Sequence, residues 1–342
     1  MRLADFGLRA LFSCVAVAML AGCGGSQPSV GVLGAMPQGA AIATPADRGK
    51  SWMLSEAKKL KELIYAGDSY SGNVYVYDYK TGNEVGALSG FNEPDGECVD
   101  KNGDVFITAS IGSTGELIEY THGGSNPIKT FVTDGHPIGC SIDPAGDLAV
   151  NNVVPGGGTD VEVWKNASGL PADYRNETDC PEMWPPGYDD KGNLFIETGG
   201  TPNLCELPSG SSTLQAVAFN HNIEFPGSAM WDGKHLTLTD QESSGGYTAI
   251  YRVKVTKSGV DLVGITQLVY KRCGSNVGQP FIVGKKNTPI NDQQGTVVVG
   301  GNYECYYYSP ISYWHYPASR RPFRHAHPRL YRASGLAVSI LP

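Results

Sequence analysis

Short apolar runs separated by polar turns fill most of the chain, and one combination of turn and run recurs. A Pro-x-Gly or Pro-Gly segment comes first, followed by a turn of the form Asp-x-x-Gly-Asp/Asn and then three apolar residues. The turns with their runs are Asp100–Asp104 with Val105–Ile107, Asp143–Asp147 with Leu148–Val150, Asp189–Asn193 with Leu194–Ile196, and a looser copy, Trp231–Lys234 with His235–Thr237. The turn glycines at positions 103, 146, 192 and 233 are 43, 46 and 41 residues apart. This spacing predicts a repeated unit that contains at least two strands.

A repeat period in the forties, built from short strands, is typical of the blades of a β-propeller. Each blade has four antiparallel strands, and the first strand lines a central channel. In the second blade the pattern predicts strands at Gly96–Asp100, Asp104–Ala109, Glu116–Tyr120 and Ile128–Thr133. The later blades are expected to start at Ile138, at Gly187, near Pro226 and, less regularly, at Gln279–Val283 with Gly295–Val299.

The two ends of the repeat region complete each other. Glu62–Asp68, Asn73–Asp78 and Glu84–Leu88 have the pattern of a second, third and fourth strand, and no first strand precedes them. The apolar segment Ser334–Ile340 matches the first strands of the other blades. We therefore predict an all-β, six-bladed propeller of four-stranded antiparallel blades, closed by the C-terminal strand joining the N-terminal blade.

The N-terminal segment has the features of a bacterial lipoprotein signal peptide. Arg2 and Arg9 flank a short charged region, and the apolar stretch Ala10–Leu20 is too short to span a bilayer as a helix. It ends in Leu20-Ala21-Gly22-Cys23, which resembles a lipobox. The match implies that residues 1–22 are removed and that Cys23 carries the acyl chains. An ordinary signal peptide with a chance cysteine is the alternative.

Three segments follow from this reading: the signal peptide 1–22, a lipidated tether 23–50 and a propeller 51–342. The tether is rich in Gly, Ala, Pro and Ser and has no periodic apolar pattern, which is typical of a flexible linker. Gly24 follows the cysteine, and the absence of Asp there favours the outer membrane. The expected location is the cell envelope, on the periplasmic side of the outer membrane or at the cell surface.

Charge and cysteine content narrow the range of partners. The formal net charge is −8, which argues against a nucleic-acid partner, and we expect a monomer.

Six cysteines lie beyond Cys23, an even number typical of disulfides in an exported chain. Cys98 and Cys140 both fall in first strands of neighbouring blades, so we predict pairing 98–140, then 180–205 and 273–305 by proximity. The six residues are Cys98, Cys140, Cys180, Cys205, Cys273 and Cys305. Free buried thiols are the alternative.

The repeat resembles that of NHL-type six-bladed propellers. The Pro-x-Gly starts and the Asp-x-x-Gly turns carry the resemblance, together with Tyr65–Tyr77, which is similar to the family's repeat phrase. The chain is also similar to uncharacterised bacterial propeller lipoproteins, and distantly to gluconolactonase-like and streptogramin-lyase propellers. The resemblance is specific for the fold and implies no activity.

The residues beside each Pro-x-Gly are expected to face one mouth of the channel. One imidazole, two carboxylates, two aromatic rings and an amide there would suit a small polar or sugar-like ligand. These residues are Glu93, Glu97, His136, Trp184, Phe225 and Gln279. The alternative is that they are ordinary loop residues around a solvent-filled channel.

Catalysis has weaker support in the sequence. Resemblance to gluconolactonase-like enzymes implies a divalent metal, Ca²⁺ or Zn²⁺, for which Glu97, Asn151 or Asn152, and Asp240 are weak candidates by position. No histidine pair has the context of a streptogramin lyase. We therefore predict an anchored lipoprotein that binds a small ligand or a protein partner, with no cofactor and no catalytic residue assigned. A metal-dependent lactone or ester hydrolase is the alternative.

Overall fold

The computed structural model describes residues 50–200, 203–270, 277–283, 295–299, 310–317, 320–326 and 330–342. Within these ranges the chain is built almost entirely of short antiparallel strands, and its only helical segments are the 3-10 turns Ala57–Lys59 and Lys165–Ala167. No helix in the described part of the chain is long and apolar enough to cross a bilayer. The strands form six sheets, which we number in chain order.

Sheets 2 to 6 follow the chain as antiparallel meanders, whereas sheet 1 has five strands that include the last strand of the chain. Sheet 1 contains β1 Trp52–Met53, β2 Glu62–Asp68, β3 Asn73–Asp78, β4 Glu84–Ser89 and β25 Ala333–Ile340, in the order β1-β4-β3-β2-β25. Sheet 2 contains β5 Pro94–Val99, β6 Val105–Ile111, β7 Thr114–Tyr120 and β8 Pro127–Thr133. Sheet 3 contains β9 His136–Ile142, β10 Leu148–Val153, β11 Thr159–Trp164 and β12 Ala172–Tyr174.

The other three sheets also have four strands each. Sheet 4 contains β13 Gly187–Tyr188, β14 Leu194–Glu197, β15 Leu204–Leu207 and β16 Gln215–Ala216. Sheet 5 contains β17 Pro226–Trp231, β18 Leu236–Ser243, β19 Tyr247–Thr256 and β20 Gly259–Leu268. Sheet 6 contains β21 Phe281–Val283, β22 Gly295–Val299, β23 Ile311–Tyr316 and β24 Arg324–Ala326. Four-stranded antiparallel sheets repeated in this way are the blades of a β-propeller.

The repeated Asp-x-x-Gly turn joins the first and second strands of a blade. The Asp100 carboxylate accepts hydrogen bonds from the backbone N–H groups of Asn102 and Asp104, at 2.9 and 2.8 Å. Gly103 has a φ of +86°, a left-handed conformation that glycine adopts without a steric cost. Asp143 and Asp189 bind the backbone of their own turns in the same way. The phrase recurs because the first hairpins of sheets 2, 3 and 4 share the same turn chemistry.

The C-terminal strand pairs with the N-terminal sheet. β25 is antiparallel to β2, with Leu336 opposite Ala66 and Ile340 opposite Glu62. This pairing confirms the predicted partner of the C-terminal segment. Sheet 1 also has an outer strand, β1, in which Trp52 and Met53 lie opposite Ala87 and Gly86 of β4. The sequence pattern did not predict this strand, because two residues are too few to show a periodicity.

The hydrophobic core lies between neighbouring sheets. Phe106, Phe131 and Trp164 pack between sheets 2 and 3, and Trp164 is only 2% exposed. Tyr313 of sheet 6 packs edge-on against Tyr79 of sheet 1, with ring centroids 5.5 Å apart. Burial of each such large side chain stabilises the fold by about 1.5–3 kcal/mol, so the blades depend on one another for their stability.

Two disulfides join elements that are distant in sequence. Cys98 of β5 bonds to Cys140 of β9, and Cys180 bonds to Cys205 of β15. The first pairing was predicted from the repeat and the second from proximity in the sequence, and both are confirmed. The third predicted pair, Cys273 with Cys305, lies outside the described residues.

Candidate functional site

The strands β25, β5, β9, β13, β17 and β21 each lie at one edge of their sheet, and residues of or next to all six line one cavity. We call them the inner strands and the space between them the channel. We call the side where they begin the start face and the side where they end the end face. Near the start face their backbones pack directly against one another at glycines. A Cβ on Gly96 would lie 2.7 Å from Gly139 Cα, and a Cβ on Gly335 would lie 2.4 Å from the Asp95 carbonyl oxygen. A Cβ on Gly187 would lie 2.4 Å from the Ala229 carbonyl oxygen. Any larger side chain at these positions would force the inner strands apart.

The side chain of Gln279 crosses this narrow part of the channel. Its Nε2 donates a hydrogen bond to the Ile138 carbonyl oxygen at 3.0 Å, joining the segment before β21 to the non-adjacent strand β9. Its Oε1 lies 2.8 Å from the position of a Cβ on Gly96. Gln279 therefore forms a plug between three inner strands, and the channel is blocked at this level.

Two adjoining cavities lie on the end-face side of the plug. The channel cavity has a volume of about 180 Å³ and is lined by residues of all six inner strands, among them Glu97, Tyr188 and Leu336. The mouth cavity has a volume of about 500 Å³ and opens at the end face. The two share Val99, Trp231 and Phe281 in their walls. The mouth cavity falls within the size range of small-molecule binding pockets, about 300–1,000 Å³.

The walls of the mouth cavity combine aromatic, aliphatic and charged groups. Trp231 is the last residue of β17, and Phe281 is the first residue of β21. Both side chains are partly exposed and line the cavity. The aliphatic wall is formed by Val338 and Ile340 of β25. Four charged residues, Lys61, Asp100, Lys101 and Asp232, also line the cavity.

The acidic and basic side chains that line this cavity differ in their hydrogen-bond and ion-pair partners. Both oxygens of Asp100 accept hydrogen bonds within its own turn. Those of Asp232 bind the backbone of Lys234 and His235 and the Tyr316 hydroxyl, the last at 2.6 Å. Neither Lys61 nor Lys101 forms an ion pair with a described residue. The Lys101 ammonium donates a hydrogen bond to the Pro144 carbonyl oxygen at 3.3 Å, a contact that leaves both lysines without a carboxylate partner among the described residues.

Two buried glutamates lie where one blade meets the next. Glu97 of β5 is 6% exposed and fits against the backbones of Gly67 and Gly335, which have no Cβ to exclude it. Burial raises the pKa of Glu97 well above its usual range, and the nearby Asp95 carboxylate raises it further, against an opposing effect of the Gly67 backbone. Glu197 of β14 accepts a hydrogen bond from the Thr239 N–H at 2.6 Å, and burial also raises its pKa well above the usual range.

Five of the six residues predicted at the channel mouth lie at the start of an inner strand or just before it, on the start-face side, and Glu97 lies in the middle of β5. His136 contacts the Ser110 hydroxyl at 2.9 Å, and burial lowers the pKa of its imidazole. Trp184 and Phe225 pack edge-on, with ring centroids 5.3 Å apart. Glu93 has a positive φ of 48°. Of the six predicted residues, only Glu97 and Gln279 line either cavity.

The weak metal candidates are not brought together. Glu97 packs between sheets 2 and 1. Asp240 accepts hydrogen bonds from the backbone N–H groups of Glu224 and Phe225. Asn151 donates to the Met183 carbonyl, and Asn152 donates to the carboxylates of Asp160 and Glu162. Each side chain thus supports a different part of the scaffold.

One acidic group of the described residues has the compactness of a cation site. Oxygens of Asp134, Asp160 and Asp173 lie within 4.8 Å of one another. Arg175 forms ion pairs with all three, at 3.0, 2.7 and 3.0 Å. The guanidinium offsets part of this negative charge, and burial raises the pKa of Asp160 to about 6, so the cluster is an ion-pair network centred on Arg175.

The sequence analysis did not select the residues of the mouth cavity. Trp231 and Lys101 both belong to the repeated turn segments, and Phe281 follows a predicted strand start. These residues are grouped on the end face. The strand pattern does not reveal that the Gln279 side chain crosses the channel on the other side. An aromatic residue at the end of an inner strand beside a basic turn residue is the signal that was available.

No family model matches the chain, and no curated protein matches it. Solved structures share its fold at low sequence identity. A protein of unknown function from Bacteroides caccae is 13% identical with a TM-score of 0.55, over 82% of this chain and 99% of that one. TolB from Acinetobacter baumannii is 13% identical with a TM-score of 0.54, over 82% of this chain and 66% of TolB. A luciferin-regenerating enzyme is 9% identical with a TM-score of 0.50, over 74% and 84%. These likenesses show a β-propeller fold and no function.

Proposed function

We propose that this protein is a lipid-anchored cell-envelope protein whose six sheets form one closed ring of six NHL-like blades that binds a small ligand at the end face. The observation that carries the binding proposal is the mouth cavity of about 500 Å³, with aromatic walls and two unpaired ammonium groups. A closed ring of blades supplies a rigid frame for such a site. The channel cavity behind it extends the space available to a bound molecule.

The anchoring part of the proposal rests on the Leu20-Ala21-Gly22-Cys23 segment. Two or more acyl chains on Cys23 anchor a protein stably, because each buried CH₂ contributes about 0.8 kcal/mol. The test is membrane fractionation with acyl labelling of the chain and its Cys23→Ala variant. Loss of label, with release of the protein or accumulation of a precursor, supports anchoring. Unchanged label and fractionation overturn it.

The alternative hydrolase function has less support from the geometry. Its metal would need Glu97 with Asn152 and Asp240, and the last two are already hydrogen-bonded to Asp160 and to the Phe225 N–H. Ligand binding without chemistry requires only the cavity. Metal analysis of the dialysed protein separates the two, since a stoichiometric bound Ca²⁺ or Zn²⁺ would favour the hydrolase.

Ligand binding is tested by fluorine NMR on protein labelled with 5-fluorotryptophan. The chain has five tryptophans, and a Trp231→Phe variant assigns the resonance at the cavity. We expect members of a mixed collection of small metabolites to shift the Trp231 signal and to leave that of Trp52, on the outer strand β1, unchanged. No shift at Trp231 with any compound would overturn binding at this cavity.

A further inference from the structure

We propose that the ligand of the mouth cavity is an acidic saccharide, a sugar that carries a carboxylate. This inference rests on the proposed ligand-binding function and adds the chemical class of the ligand. It follows from three properties of the cavity: its aromatic walls, its unpaired cations and its closed floor.

The aromatic walls favour a sugar ring. Trp231 and Phe281 are both partly exposed and line both cavities. The C–H face of a pyranose packs well against an aromatic ring, whereas its hydroxyl edge needs polar partners. An aromatic body beside polar groups provides both within one pocket. A purely apolar ligand would leave Lys61 and Lys101 without a counter-charge.

The unpaired cations favour a carboxylate on that sugar. Lys61 precedes β2, and Lys101 lies in the turn after β5, so the two lysines come from adjacent sheets on the same face. The acidic groups in the lining do not neutralise them, because Asp100 and Asp232 are bound within their own turns or to Tyr316. A ligand carboxylate that reaches both ammonium groups would form charge-assisted hydrogen bonds.

The closed floor sets how deep the sugar can lie. Gln279 and the inner-strand glycines block the channel towards the start face. The channel cavity in front of this plug offers the hydroxyl of Ser228 and the amide of Gln279 in its lining. The hydroxyl groups of the inner end of a sugar would meet these polar groups, while its carboxylate stays near the lysines at the rim.

The experiment compares three probes on the full chain: galacturonate, galactose and benzoate. Each is titrated while the fluorine signal of Trp231 is followed. Galacturonate should bind at least tenfold more tightly than galactose and than benzoate. The Lys61→Gln/Lys101→Gln double variant should lose that preference for galacturonate over galactose and keep its binding of galactose. Lys191→Gln is the matched control, because Lys191 occupies the same kind of turn in sheet 4 but does not line the cavity.

The outcomes separate this inference from the function on which it rests. Equal binding of galactose, tighter binding of benzoate, or a galacturonate preference that survives in the double variant overturns the acidic-saccharide class. If other small metabolites shift Trp231 and galacturonate does not, the class is wrong and the binding function stands. If no compound shifts Trp231, both proposals fail. Melting temperatures of all variants exclude unfolding as the cause of lost binding.

Discussion

The imidazole Nδ1 of His122 lies 2.6 Å from the Ser339 hydroxyl, which joins two residues 217 positions apart in the chain. His122 belongs to the loop between β7 and β8 of sheet 2, and Ser339 belongs to the C-terminal strand. The other ring nitrogen donates to the Leu60 carbonyl oxygen at 2.8 Å, and the Ser339 hydroxyl also contacts the Gly103 carbonyl. The histidine thus fixes the closing strand to the neighbouring sheet.

Replacing His122 with Ala should lower the free energy of unfolding by about 1–3 kcal/mol, because buried polar partners lose their hydrogen bonds. Thermal unfolding measures the change. His221→Ala is the control, since the His221 side chain is exposed. Equal melting temperatures of the His122 variant and the wild type would show that this contact does not hold the closing strand.

The same histidine should make the protein sensitive to mild acid. Burial lowers the pKa of His122, partly offset by the Leu60 carbonyl. An imidazole with a depressed pKa contributes stability that is present above about pH 6.5 and is lost as the pH falls below that value, because the unfolded chain binds the proton more readily. The drop in melting temperature between pH 7.5 and pH 5.5 should therefore be smaller in His122→Asn than in the wild type. An equal drop would contradict this assignment.

Glu97 should have the opposite pH dependence. Its pKa is raised by burial, so its stabilising contribution is complete below the unfolded value of about 4.5 and declines as the pH rises towards the folded pKa. Glu97→Gln removes this ionisation, so the variant should gain stability relative to wild type between pH 5 and pH 8. Denaturant unfolding at both values measures the gain, at about 1.4 kcal/mol per pH unit while only the unfolded chain ionises. Glu56→Gln, at an exposed position, should show no such trend.

The C-terminal strand should be essential for folding. Deleting residues 333–342 exposes the edge of β2 and removes Leu336 and Val338 from the core between sheets 1 and 6. The truncated protein should melt far below the wild type or fail to accumulate in soluble form. Deleting residues 24–50 should change the melting temperature little. Equal stability of the 333–342 deletion and the full chain would contradict the closed ring.

The Cys98–Cys140 disulfide should contribute about 4 kcal/mol in the chain-entropy model, since it closes a loop with a sequence separation of 42. The double Ser variant should unfold at correspondingly lower denaturant. The Cys180–Cys205 pair closes a shorter loop, with a separation of 25, and should contribute slightly less. Free thiols at all four positions in non-reducing peptide maps would refute both bonds.

Much of the fold was accessible from the sequence because the first hairpins of sheets 2, 3 and 4 share the same turn. Asp100 accepts backbone hydrogen bonds within its turn, and Gly103 adopts the positive φ that the turn needs, so the recurrence of this residue pair marks the hairpins. The strand β1 was missed because two residues carry no periodicity. β13 is shorter than a repeat would suggest, with only Gly187 and Tyr188.

The candidate site was less accessible, for a physical reason. The sequence indicates where inner strands begin but not how closely their backbones approach. The approach of Gly96 to Gly139, together with the span of Gln279, depends on tertiary packing. These contacts narrow the channel beside the residues that were predicted to line its mouth. His122 lies in the turn segment Thr121–Gly124 and is only 6% exposed, a burial that the local sequence does not indicate.

The plug formed by Gln279 determines how molecules can be exchanged. In the described part of the chain this side chain separates the end-face cavities from the start face, so a solute in the mouth cavity exchanges through the end face. An occupant has to leave by the same opening through which the next one enters. Two ligands therefore cannot follow each other in single file, and the turnover of bound molecules is set by the departure of the first. For the ligand binding that we propose, a cavity with one opening favours capture or sensing of a solute on one side of the ring over its conduction.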